Sequence, residues 1–244
     1  MATYKRILLK LSGEQLGYTI KSPKTGEQVQ IGFDPERAKW LGEQIRQLQA
    51  AGIEVVATIG GGNFVRGEDI KCDVIDQTVG DEAGILAIVI NAILLGEVFS
   101  HLGVPTHAMS MISLPAFIDD YAYRTARQDL ANGKLVLIGG GSGQTGFTSD
   151  TGALRAAISL HCDAVIKLTD VDGVYDDDPH KNDQANKFDE LTYDQAISNP
   201  NITVMDKAAM GMAAQNKIPI IVCELKDGNM LRAAQGEPIG TLVH

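Results

Sequence analysis

The chain has 244 residues, of which 44% are hydrophobic and 21% charged, and it carries a net charge of −10 at pH 7. That size and balance belong to a soluble globular protein with ample core. The acidic surplus argues against a nucleic-acid surface and requires that anionic substrates be drawn by local cations, not by the global field. Cys72, Cys162 and Cys223 lie far apart without metal-ligand spacing and read as reduced thiols of a cytoplasmic protein.

In chain order, a strand is expected from Lys5 to Leu11. Tyr18 to Ile20 and Gln28 to Ile31 flank a polar Ser22-Pro23-Lys24-Thr25-Gly26 tip, the pattern of a β-hairpin. Asp34 followed by Pro35 starts a helix that runs to about Ala51 and ends at Gly52. Ile53 to Ile59 reads as a buried strand, and a long helix follows from Gln77 to Leu102. Its apolar stretch Ala83 to Leu95 contains Asn91 and reads as too short to span a bilayer, so no membrane partner is expected. Then come a strand (Val104 to Met109), a helix (Tyr121 to Ala131) and a strand (Lys134 to Ile138). Asp150 is expected to start the next helix, with Leu154, Ala157, Ile158 and His161 on one face. A strand from Asp163 to Leu168 precedes a long loop, Thr169 to Lys187, rich in Asp, Gly, Pro and Asn. Thr192 and Gln195 form a capping box, and Asp206 caps a helix ending near Asn216. Ile218 to Cys223 is a strand, a short helix follows Gly228, and Thr241 to Val243 is expected to be an edge strand. The alternation predicts an α/β protein: a three-layer sandwich with a mostly parallel central sheet and helices on both faces. It is expected to form a single domain with two lobes, about 1–165 and 166–244.

Three glycine-bearing segments sit where a strand hands over to a helix: Lys10-Leu11-Ser12-Gly13, Gly60-Gly61-Gly62-Asn63 and Gly139-Gly140-Gly141-Ser142-Gly143. Glycine lets backbone N–H groups crowd around an anion, and a helix N-terminus adds its positive dipole end. Three such loops on one sheet edge suit a site that holds several phosphates. Neither a Walker loop nor a dinucleotide fingerprint is present. Lys10, at the end of the first strand, can bridge two phosphoryl groups as charge moves between them; by position alone it is equally a solvated strand-end lysine. Arg66 follows a glycine turn and can hold a phosphate bidentately. Asp81 can accept from a ribose diol, but a helix-start acid is the simpler reading of that position alone.

Between Gly139 and Asp150 lie five glycines with Ser142, Thr145, Thr148 and Ser149, a lining of bare amides and small hydroxyls suited to a nucleotide monophosphate. Asp150 can cap its helix, orient Lys10, or do both. The loop acids Asp170, Asp172, Asp176, Asp177 and Asp178 lack EF-hand spacing. They read as a solvated acidic loop or as a nucleotide lid, with Tyr175 stacking on a base and Asp178 accepting from a ribose. The five histidines show no ligand or triad spacing and read as structural.

These motifs, in this order, resemble those of the bacterial uridylate kinases, within the amino-acid kinase fold family. The most specific pieces are Leu9-Lys10-Leu11-Ser12-Gly13-Glu14, Ile59 to Asn63 with Arg66-Gly67, Val79-Gly80-Asp81, Phe147-Thr148-Ser149-Asp150, Val171 to Tyr175 with Asp178-Pro179, and Val204-Met205-Asp206. The resemblance implies the reaction ATP + UMP → ADP + UDP in pyrimidine biosynthesis, with Mg2+ bound through the substrate phosphates and no protein-held metal. It implies that Lys10, Leu11, Ser12, Gly13, Gly62 and Arg66 contact ATP phosphates, and that Thr169, Tyr175 and Asp178 hold adenosine. Gly61, Asp81, Ser142, Gly143, Gln144, Thr145, Gly146, Phe147, Thr148 and Ser149 are implied to hold UMP. Lys10 and Asp150 are implied to be the catalytic pair. A homo-oligomer, a hexamer, is implied as well, with GTP and UTP as candidate effectors. Two other readings are an acetylglutamate or carbamate kinase of the same fold, which needs neither Asp81 nor a phosphate-binding Arg66, and a nucleotide sensor without turnover. Two departures from the family pattern are visible: Gln144-Thr145-Gly146-Phe147 lacks an Asn-Pro-Phe-Phe character, and the Tyr18 to Phe33 hairpin is long and lysine-bearing.

Overall fold

The computed structural model describes residues 4–22, 26, 28–66, 70, 72–202 and 204–244. The hairpin tip Pro23 to Thr25 and Gly67, both singled out above, lie outside the described residues. The strands are β1 (Arg6–Leu11), β2 (Tyr18–Lys21), β3 (Gln28–Ile31), β4 (Glu54–Ile59), β5 (Thr106–Ser110), β6 (Asp119–Asp120), β7 (Leu135–Gly139), β8 (Ala164–Thr169), β9 (Val174–Tyr175), β10 (Lys187–Phe188), β11 (Glu190–Leu191), β12 (Ile220–Glu224) and β13 (Thr241–Val243). The helices are α1 (Pro35–Ala50), α2 (Gln77–His101), α3 (Tyr123–Ala131), α4 (Ser149–Leu160), α5 (Tyr193–Ser198), α6 (Lys207–Asn216) and α7 (Asn229–Ala234).

Nine of these strands form one sheet in the order β11-β13-β12-β8-β1-β4-β7-β5-β6. All neighbours run parallel except β12 and β13. β1 lies at the centre and its side chains alternate. Ile7, Leu9 and Leu11 enter one core with α1, α2 and α7; Leu8 enters the other with α3, α4 and α6. The strands between the edges are therefore buried on both faces, as a parallel sheet under two helix layers requires. The α/β sandwich expected from the alternating pattern is thus the observed fold.

Several expectations need correction. β13 is not at the edge, because the two-residue β11 pairs outside it. Helix α4 starts at Ser149, and its cap is Thr148, whose hydroxyl accepts from Asp150 N at 3.0 Å. That leaves the Asp150 carboxylate free of the capping role. His161 does not extend the apolar face of α4; it adopts a left-handed conformation at φ 57° and ends the helix. A 3-10 turn, Gly13–Leu16, follows β1 directly, and the Thr169 to Lys187 loop contains the small β9–β10 ribbon. The stretch read as too short for a bilayer belongs to a 25-residue helix whose most apolar 18-residue window has mean hydropathy 2.1, long and apolar enough to cross one by length and composition. Here α2 packs on the sheet with Ala92, Leu95 and Phe99 fully buried.

The second glycine loop is fixed by a buried amide pair. Asn63 and Asn91 exchange side-chain hydrogen bonds at 2.7 and 3.0 Å. Asn91 also donates to Gly60 O at 2.8 Å, and Asn63 to Gly32 O at 2.7 Å. The polar residue inside the apolar run of α2 is therefore the anchor of this loop. Each buried amide here has partners, so the cost of its burial is met. Gly13 packs against the same loop, since a Cβ on it would lie 2.5 Å from Gly60 O.

Candidate active site

Two lysines share one row of the sheet face toward α4. Across it, in strand register, run Val222, Lys167, Lys10, Thr58, Ile138 and Met109. Lys10 of β1 and Lys167 of β8 are direct neighbours, so two ammonium groups rise from adjacent strands on the same side. Asp150, in the first turn of α4, comes down between them. Its Oδ1 lies 2.7 Å from Lys10 Nζ and its Oδ2 3.0 Å from Lys167 Nζ. Lys167 also donates to Val204 O.

This triad is deeply placed: the side chain of Asp150 is 11% exposed and that of Lys10 10%. Burial by itself raises the Asp150 pKa; the charges of Lys10 and Lys167, with the Lys167 hydrogen bond, outweigh it and hold the carboxyl below its usual range. Burial pulls the Lys167 pKa down, against the attraction of Asp150. The centre carries two positive charges against one negative, an electrostatic arrangement suited to a polyanion.

Two clefts meet at the triad. The first, of ≈ 550 Å³, is entered by Lys10, Ser12 and Gly13 from the first glycine loop and by Gly61, Gly62 and Arg66 from the second. Asp81 and the segment Gly146 to Ser149 close its other side. Asp81 ties these walls together, accepting from Gln77 Nε2 at 2.7 Å and from Gly146 N at 2.8 Å. The cap of α2 is Asp76, which accepts from Val79 N at 3.1 Å, so Asp81 is not needed to start the helix. Arg66 pairs with Glu14 across the mouth.

The second cleft, of ≈ 330 Å³, lies on the other side of the triad and is lined by Lys167, Thr169, Tyr175 and Asp178 among others. Its loop is rooted in the sheet: Val174 N donates to the buried Thr241 Oγ1 at 2.8 Å. Tyr175 donates to Asp172 Oδ1 at 2.6 Å, which raises the phenol pKa. The loop acids bind one another's backbone and neighbours: Asp176 accepts from Asn186, Asp177 from Asn182, and Asp178 from His180 N. The two clefts are also linked behind the triad. Asp206, the cap of α6, accepts from Thr148 Oγ1 at 2.5 Å and from Thr151 Oγ1 at 2.9 Å.

Most residues singled out in the sequence are thus brought together. Leu11 is not: its side chain is core. Ser142 turns inward, with its hydroxyl engaged by Gln144 N and O, and Ser142 to Thr145 do not line the first cleft. Lys167 was missed, although a lysine inside Ala164-Val165-Ile166-Lys167-Leu168 interrupts a run otherwise apolar on both faces, which is a visible signal. Among the histidines, His107 bridges Asp129 (2.5 Å) and Asp119 (2.9 Å), far along the sheet from the triad.

A parallel α/β sheet with glycine loops and a buried lysine–carboxylate–lysine centre defines a protein built to hold phosphates. The chain belongs to the amino acid kinase family, whose model matches residues 5–224. It is 38% identical over 245 residues to a uridylate kinase of a Nocardioides species, covering 100% of this chain and 99% of that one. A uridylate kinase of Dichelobacter nodosus is 36% identical, with 99% and 96% covered. The crystal structure of a UMP kinase from Bacillus anthracis superposes with a TM-score of 0.90 at 33% identity, covering 100% and 97%.

The charge count of the triad yields a stability prediction. Asp150→Asn leaves two buried ammonium groups without compensation and should cost about 3–5 kcal/mol. Lys167→Met leaves a one-to-one pair and should lie within about 1 kcal/mol of the parent. Urea unfolding at pH 7 measures both; equal losses would show that the lysines do not share the carboxylate.

Proposed function

We infer that this protein is a UMP kinase that catalyses ATP + UMP → ADP + UDP. The observation that carries the reading is the triad standing between two clefts. The acceptor cleft holds Gly61, Asp81 and the Gly146 to Ser149 segment on the 1–165 side, with Lys10, Ser12, Gly13, Gly62 and Arg66 in the same cleft placed to take the ATP phosphates. The ATP cleft is built from Thr169, Tyr175 and Asp178 on the 166–244 side. In this reading a phosphate oxygen of UMP attacks the γ-phosphorus of ATP. The bond from that phosphorus to the β–γ bridging oxygen breaks, and ADP leaves with the electron pair. A phosphate is already a nucleophile, so the site needs placement and charge neutralisation more than a general base. Lys10 and Lys167 supply fixed positive charge to the group in flight, and Asp150 keeps both ammonium groups aimed. The N-terminus of α4 adds its dipole from above.

A divalent cation belongs with ATP in such a kinase; we read it as Mg2+ carried on the phosphates. The donor set fits that reading: lysine ammonium and backbone N–H groups bind phosphate oxygens, while the Asp150 carboxylate is shared between lysines. Among the described residues no three His, Cys, Asp or Glu side chains gather to hold a metal. The cation would neutralise phosphate charge as it builds in transfer.

Asp81, aimed into the acceptor cleft from the wall it shares with Gly146, supports a ribose-bearing acceptor over a carboxylate or carbamate. The retained Lys10 and Asp150 support turnover over mere sensing. Leu86, Ile90, Ile93 and Leu94 leave an apolar stripe exposed on α2, which supports a homo-oligomer. A hexamer, regulation by GTP and UTP, a cytoplasmic location and a place in pyrimidine nucleotide synthesis complete the proposal.

A coupled assay with ATP and a panel of acceptors should give UMP as the best acceptor, with acetylglutamate and carbamate inert. Faster phosphorylation of either than of UMP would overturn the assignment. In the same assay Lys167→Met should lower kcat by about 10²–10³, as for loss of one preorganised charge contact. Parent-like turnover would remove Lys167 from the chemistry.

A further inference from the structure

Thr58 stands immediately beside Lys10 in strand register. Its neighbours along β4 fix its direction. Val56, two residues before it, packs into the core under α4. Gly60, two residues after it, faces Ser149, since a Cβ there would lie 3.8 Å from Ser149 Oγ. Side chains two apart on a strand share a face, so Thr58 looks at the first turn of α4, where Asp150 sits. Thr58 is 6% exposed, and among the described residues its hydroxyl has no hydrogen-bond partner. Asp150 Oδ1 is in a related position. It takes the Lys10 charge at 2.7 Å but receives no aligned hydrogen bond. Two buried oxygens without a hydrogen bond thus belong to the two residues next to Lys10, its register neighbour on β4 and its ion-pair partner on α4.

An unpartnered buried hydroxyl lowers the stability of the fold, and an isosteric apolar side chain at the same place removes that cost. A strand interior that is otherwise apolar on this face would take valine readily. The threonine is therefore a liability in the unliganded protein, of the kind active sites retain for function. Thr58 lines neither cleft and stands beside Lys10 on the neighbouring strand. It acts through the triad, not on the substrate.

We propose that Thr58 is a positioning residue whose hydroxyl becomes hydrogen-bonded to the Lys10–Asp150 pair when phosphate groups enter and draw the ammonium of Lys10 toward them. Asp150 Oδ1 then gives up part of its counter-charge, and the Thr58 O–H replaces it with a hydrogen bond. The inference deepens the kinase reading and rests on it for the nucleotide that draws Lys10.

The test compares Thr58→Val and Thr58→Ser with the parent in thermal melting, with and without ADP and magnesium, and in ATP- and UMP-dependent turnover. Without ligand, Thr58→Val should melt higher than the parent. Its ADP-induced upward shift should be smaller than the parent's, and its kcat about tenfold lower with both Michaelis constants within about twofold. Thr58→Ser should restore kcat and the ADP shift, because it restores the hydroxyl. A merely structural threonine would move the unliganded melting point alone. The proposal is overturned by a Thr58→Val kcat within twofold of the parent, or by an ADP shift as large as the parent's. It is equally overturned if the parent shows no ADP shift at all. Should Thr58→Val fail to accumulate, Thr58→Ala is read in the same way. If the parent binds ADP but leaves UMP unphosphorylated, the acceptor assignment falls while the ADP shifts still decide the role of Thr58.

Discussion

Asp150 carries its negative charge in a place where burial alone would raise its pKa, and the charges of two lysines from adjacent strands, reaching it at once, hold that pKa down. Parallel pairing of β1 with β8 brings Lys10 and Lys167 side by side, and α4 lowers the carboxylate between them. Two like charges on neighbouring strands would repel; the carboxylate lets both stay in a dry site. The lysines in turn hold the carboxyl on the ionised side. The surrounding features serve this centre. Thr148 relieves Asp150 of capping duty, and Asp206 holds Thr148 and Thr151 from α6. The Asn63–Asn91 pair fixes the glycine loop next to Lys10.

The sheet topology turns this local pair into a two-sided site. The strands that lead into the walls of the first cleft, β1, β4 and β7, are contiguous. On the other side of β1 stand β8 and β12, whose Lys167 and Val222 line the second cleft. The triad occupies the seam, so a group moving from one cleft to the other passes the only two lysines in the central row. In a chain of net charge −10, these two buried lysines provide local positive charge that the global field does not.

Much of this was legible in the sequence, and the reasons are physical. The three glycine loops announced themselves because only glycine-rich turns allow such close backbone approach, and Lys10 was conspicuous inside one of them. The layered α/β architecture followed from strand and helix periods that alternate along most of the chain. Lys167 stayed hidden because its role depends on a neighbour in space, Lys10, that lies far away in sequence. Thr148 and Asp150 are both good capping residues; which one caps is decided by the lysines that claim the carboxylate, a tertiary effect. The edge strands β6 and β11 have two residues each, and Asp119-Asp120 has no β-propensity to betray it. The relation between Asp81 and Gly146 crosses 65 residues and is visible only once the loop is folded.

The central claim is that Lys10 and Lys167 together keep the buried Asp150 ionised. Its most direct test is the pKa of the Asp150 carboxyl, measured by carbon-detected NMR titration in the parent and in a Lys10→Met, Lys167→Met double variant. The account predicts a value below the ordinary 3.8 in the parent and above it in the double variant, where only burial remains. The same pKa in both proteins would contradict it.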